Sequence, residues 1–152
     1  MKIKNIFSLE VTDQIIARIL SLQPTTTPQW GTMNVSQMLA HCSVAYEMVY
    51  TDMHPKPNPF VKFIIKLVAK KAVVSDKPFS KNGRTAPQFL IVNERDFEKE
   101  KQRLISYIRK TQELGADFFE NKESHSFGKL SSKEWNTMFY KHMDHHLRQF
   151  GV

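Results

Sequence analysis

Apolar residues in this chain recur every three or four positions through most of its length. Alternating runs are few, which restricts the backbone to helices that each bury one stripe. Only five glycines interrupt 152 residues. Val11, Ile15, Ile16, Ile19 and Leu20 form the first stripe and predict a helix over about Thr12 to Leu22, ended by Pro24 and the Thr25-Thr26-Thr27-Pro28 loop. Asn34, with Gln37 three residues later, predicts a capped start. The helix body is then Val35 to about Tyr50, with Met38, His41, Ala45 and Met48 on one stripe. The prolines of His54-Pro-Lys-Pro-Asn-Pro59 stop that helix.

Phe60 to about Val74 reads as another helix, with Phe60, Phe63, Ile64, Leu67 and Val68 on one side and lysines on the other. It is expected to cover the core or to contact a second copy, with its lysines in water, rather than to lie on a membrane surface. Ser75 to Val92 is irregular. Asn93 is expected to cap a helix from about Glu94 to Leu114, with Phe97, Leu104, Tyr107, Ile108, Thr111 and Leu114 inward and Gly115 in the C-terminal left-handed position. Ser131-Ser132-Lys133-Glu134 matches the capping box, so the last helix should run from Ser132 to about Gln149, with Gly151 ending it.

These stripes predict an all-α fold in one domain over residues 1–152. Its frame is a four-helix bundle, with an extra helix and lid over about residues 55–92. The one cysteine, Cys42, excludes an internal disulfide framework and is read as a small buried hydrophobe. The formal charge is +7. No nucleic-acid motif accompanies it, so the lysines are read as solvated helix faces and no nucleic-acid partner is expected. No stretch is apolar enough to span a membrane, and the first residues lack the apolar core of a signal peptide, which predicts a cytoplasmic protein.

The chemistry lies in the histidines. His142 and His146 are four residues apart on the terminal helix, on the face that carries Trp135, Met138 and Phe139. Two imidazoles at this spacing can ligate one metal ion. The spacing alone is weak, since chance produces such pairs often. Position strengthens it: both rings lie on an inward face, where unpaired imidazoles are costly to bury. His41 lies inward on its own helix, so three histidines predict a metal site with open positions. His145 is expected beside the site rather than in it. Asp144 is expected at the surface, His125 in an exposed loop, and His54 exposed. Tyr46 and Tyr140 are read as core aromatics.

The blocks Trp30-Gly-Thr-Met-Asn-Val-Ser-Gln-Met-Leu-Ala-His41, Phe127-Gly-Lys-Leu-Ser-Ser-Lys-Glu-Trp135 and His142-Met-Asp-His-His-Leu-Arg-Gln-Phe-Gly-Val152 resemble the DinB-like superfamily, in a branch of uncharacterised domains. The resemblance covers about Val11 to Val152. It implies a four-helix bundle with a pocket at one end and a divalent metal on His41, His142 and His146, with zinc or nickel the usual ion and iron an option. It also implies a small-molecule substrate, a low-molecular-weight thiol as cosubstrate, and a homodimer. The expected function is a metal-dependent enzyme of thiol S-transferase type. A metal-dependent hydrolase and a non-catalytic metal or ligand binding module are the alternatives. The absence of an obvious carboxylate base on the inward stripes favours the thiol version over the hydrolase.

Overall fold

The computed structural model describes residues 1–152. The helices are α1 (Leu9–Ser21), α2 (Val35–Tyr50), α3 (Pro59–Val74), α4 (Phe97–Phe119) and α5 (Ser132–Gln149). A single 3-10 turn, Pro87–Phe89, lies between α3 and α4. Two three-residue strands, β1 (Lys122–Ser124) and β2 (Gly128–Leu130), pair antiparallel between α4 and α5, with Glu123 opposite Lys129. The chain is thus mostly helical, with a small hairpin that the apolar periodicity did not predict.

The caps explain most helix boundaries. Ser8 starts α1 by accepting from the Val11 amide, earlier than the stripe suggests. Asn34 and Gln37 form the expected reciprocal box on α2, as Ser131 and Glu134 do on α5. A Ser131→Ala substitution removes the acceptor for the Glu134 amide and should cost about 1 kcal/mol, read as a lower urea midpoint with an unchanged slope. The cap of α4 is Asp96 rather than Asn93: its side chain accepts from the Lys99 amide at 2.7 Å. Gly115 breaks the regular helix after Leu114, as expected, although its ψ is extended rather than left-handed helical. It takes φ 70° and ψ 175°, a break that β-carbon sterics disfavour for other residues, and one further turn follows to Phe119.

α1, α2, α4 and α5 surround a continuous hydrophobic cluster that includes Ile15, Ile19, Leu39, Leu104, Ile108 and Met143. Aromatic rings run through it. Trp135 stacks on Phe139 at 5.4 Å, Phe139 on Tyr46 at 4.8 Å, and Phe119 meets Trp135 and Phe139 at 5.5 and 5.6 Å. Tyr46, Tyr140 and Cys42 are all buried and belong to this core, as expected. Burial pushes the Cys42 thiol far up, so it is a protonated packing group rather than a nucleophile.

α3 reverses its expected orientation. No residue of α3 is fully buried, and of its apolar residues only Val74, at the C-terminal end, packs against the core. Two of its four lysines face the protein: Lys62 pairs with Glu123 on β1 at 2.5 Å, and Lys70 with Glu134 of α5 at 2.8 Å. Phe60, Phe63, Leu67 and Val68 face solvent. The C-terminal end of α3 is held from α5 by Lys141, whose ammonium donates to the Ala72, Ser75 and Lys77 carbonyls at 2.7, 2.6 and 3.2 Å. Lys141 also lies over the Phe79 ring at 4.5 Å, and burial lowers its pKa to about 8. No helix is long and apolar enough to cross a membrane.

Candidate metal centre

α2 and α5 bring His41, His142 and His146 together, with one ligating nitrogen from each ring within 4.8 Å of the others. His41 Nε2 and His142 Nε2 are 3.0 Å apart. The ring centroids of His41 and His146 are 4.4 Å apart, and those of His142 and His146 4.8 Å. Nitrogens held at ~2.0–2.1 Å from one tetrahedral ion lie about 3.4 Å from each other, so this spacing needs only small ring movements to match a single ion.

Two neighbours fix which nitrogen of His41 and His146 is available. His41 Nδ1 faces the Phe89 carbonyl at 2.8 Å. A carbonyl can only accept, so Nδ1 carries the proton and Nε2 presents a lone pair. His146 Nδ1 faces Gln149 Oε1 at 2.8 Å, while Gln149 Nε2 donates to the Trp30 carbonyl at 2.6 Å. That second bond sets the amide orientation, so His146 Nδ1 is again the donor and its Nε2 lone pair is free. Backbone or amide acceptors behind the outer nitrogen are the arrangement that orients metal-ligating imidazoles.

Electrostatics keep these rings neutral. Burial lowers His41, against the opposing effect of its bond to the Phe89 carbonyl. Burial, then the neighbouring His146, His41 and His145, holds His142 well below the usual histidine range. His146 falls to about 3, through burial first and His41 second, with Gln149 opposing. A neutral imidazole is the form that ligates metal.

His145 lies beside the cluster, its ring 5.0 Å from that of His146 and edge-on to both Trp30 and Phe79 at 5.7 Å. Burial lowers it, with Asp144 acting against the shift. Three other placements depart from expectation. Asp144 is buried, paired to Arg18 and Arg148 at 2.9 Å each, because α1 packs against that side of α5. His125 is buried in the hairpin turn and meets the Pro55 carbonyl at 3.2 Å. His54 is half-buried and bonds Glu47 at 2.8 Å. Glu47 also pairs with Arg103, which reaches Glu100 at 2.8 Å. Neither Asp144 nor His125 nor His54 belongs to the histidine cluster.

Gln149 and Gly31 were missed from the sequence. Gly31 sits at φ 83°, and a β-carbon there would fall 2.5 Å from Gln149 Nε2. Gly31→Ala should therefore cost about 1–3 kcal/mol, from backbone strain together with displacement of the amide behind His146. The check is a urea titration alongside the histidine ring signals in a two-dimensional NMR spectrum: His146 should shift and the α1 core should not. The only sequence signal was an Arg-Gln-Phe-Gly ending, which by itself carries no such meaning. An open depression lined by Gln29, Trp30, Lys81, Arg148, Gly151 and Val152 lies beside this region and does not include the three clustered histidines.

A family model described as "Protein of unknown function (DUF1569)" matches residues 2–151. No curated protein and no solved structure matches the chain.

Proposed function

We propose that this chain, which belongs to the DUF1569 family, holds a divalent metal ion on His41, His142 and His146 and uses it for chemistry on a small molecule. The observation that carries the proposal is the pair of fixed tautomers. Phe89 and Gln149 each take the outer proton of a histidine, leaving two Nε2 lone pairs beside His142 in a buried cluster. Without an ion, such convergence costs desolvation and gains little. An all-histidine donor set suits zinc, nickel or iron rather than calcium or magnesium. A bound ion supplies Lewis acidity and lowers the pKa of a thiol or water.

The remaining roles fall to the chain's own residues. Gln149, anchored on the Trp30 carbonyl, holds the His146 ring, and Phe89 holds that of His41. His145, between the edges of Trp30 and Phe79, flanks the approach to the cluster. The DinB-like bundle and a thiol cosubstrate of low molecular weight complete the proposal. Its support for those parts is the resemblance of the Trp30–His41 and His142–Val152 blocks.

The test is elemental analysis of untagged protein beside His142→Ala and Gln149→Leu. Wild type should carry about one equivalent of a transition metal and His142→Ala almost none. Gln149→Leu should weaken zinc affinity by about 10–100-fold, because its loss frees the imidazole it orients. Equal metal content in wild type and His142→Ala would remove the site. Metal-dependent consumption of a thiol in single turnover against a panel of electrophiles supports the transferase type, and its absence across the panel overturns that type.

A further inference from the structure

The charge of this chain is concentrated in one place. Residues 53–92 contain eight lysines and arginines and one acid, Asp76; the other fourteen basic and fourteen acidic residues cancel. The whole formal charge of +7 therefore belongs to the segment that carries α3. The same helix turns its apolar arc outward. Phe60 is 72% exposed, Leu67 66% and Val68 74%, with Phe63, Ile64 and Val61 between them on the same side. Large apolar side chains gathered on one face, rather than scattered, mark a contact surface.

We propose that α3 and its basic flanks dock this protein on an anionic membrane, lying in the plane of the interface. α3 is sixteen residues long, about 24 Å at 1.5 Å per residue, which suits a helix lying on a surface and is too short to cross it. Its outward apolar residues run from Phe60 to Val68, about the first half of the helix, as one continuous arc of the kind an interfacial helix presents. Lys71 is exposed within this arc and takes no part in an ion pair, so it is free to reach phosphate and carboxylate headgroups while its methylene stem stays against the apolar face; Lys66, also exposed and without an ion pair, directs its ammonium toward Gly128 of the hairpin. Lys62 and Lys70 instead tie the helix to Glu123 and Glu134, and Lys141 holds its C-terminal end, so the outward orientation is fixed before any docking.

The rival occupant is a second copy of the chain. A two-fold contact through α3 would set Lys71, which lies within the outward arc, and the full charge of residues 53–92 against their own image. An anionic surface meets both the charge and the apolar face. This inference does not depend on the metal proposal.

The test is co-sedimentation of the full chain with phosphatidylcholine vesicles, with and without a one-third share of phosphatidylserine. Binding is expected on the anionic vesicles, at least tenfold above the neutral ones, and lost at high salt. Phe63→Ser/Leu67→Ser and, separately, Lys66→Glu/Lys71→Glu should each lower partitioning at least tenfold while leaving the circular dichroism spectrum and metal content unchanged. No sedimentation of wild type, equal sedimentation on neutral vesicles, or full binding by the apolar double variant overturns the proposal. A wild-type dimer in sedimentation velocity that Phe63→Ser/Leu67→Ser converts to monomer, without vesicle binding, assigns the face to a second copy instead.

Discussion

Metal-free protein will lose at least about 2 kcal/mol of unfolding free energy between about pH 7.5 and pH 5, most of it below pH 6.5. The cause is His146, whose pKa falls to about 3 in the folded chain because the ring is buried beside His41. In the unfolded chain it takes a proton near 6.5. Below that pH the unfolded state binds a proton that the folded state refuses, so mass action pulls toward unfolding. Stability is full above 6.5 and falls by about 1.4 kcal/mol per pH unit for this one group, until pH approaches 3. At pH 5 the gap is about 1.5 units, or about 2 kcal/mol. His142, held well below its ordinary value by burial and by its histidine neighbours, adds in the same direction. Urea titrations across this range should show the fall, and His146→Leu should flatten it. A stability independent of pH between 7.5 and 5 would mean that the rings protonate in place and that the cluster is open to water.

Lys141→Met should free the segment around α3 from the body, with an effect of about 3–5 kcal/mol. The ammonium donates to three carbonyls at the end of α3, and hydrogen bonds from a charged donor contribute ~1.5–3 kcal/mol each before mutual competition. Methionine matches the four-atom stem and lacks the ammonium, which keeps any cavity effect small. The loss should appear locally. α3 has no buried residue of its own, so once the anchor is gone it can swing out and let water solvate the carbonyls. Trypsin cleavage between Lys62 and Lys77 should accelerate at least ~100-fold, since cleavage tracks the opening equilibrium when reclosing is fast. The thermal transition of the remaining helices should move much less. Unchanged cleavage would show that the Lys62 and Lys70 ion pairs alone hold the helix.

The helices and the histidine cluster were legible where a local rule decides them. Asn34 with Gln37 and Ser131 with Glu134 are reciprocal caps, and they set the starts of α2 and α5 whatever the tertiary surroundings. His41, His142 and His146 share inward stripes, so stripe geometry alone brings them to one interior. Periodicity names two faces of a helix but not which one meets the protein. α3 was therefore misread: Glu123, Glu134 and the Lys141 anchor lie far from it in sequence, and they decide the matter in favour of its lysines. Three-residue strands are too short to show a period, which hid the hairpin and with it the burial of His125. Asp144 looked exposed because Arg18, its partner, comes from the other end of the chain. Gln149 escaped notice because its role depends on a carbonyl at Trp30.

The Phe89 carbonyl that fixes His41 and the outward face of α3 lie on the same stretch between α2 and α4. That stretch is thermodynamically a shared lever. A surface bound at α3 would influence the histidines only by changing where this stretch places the Phe89 carbonyl behind His41. Linkage makes such an influence reciprocal: by whatever factor a surface bound at α3 changes affinity at the histidines, occupancy of the histidines changes affinity for that surface by the same factor.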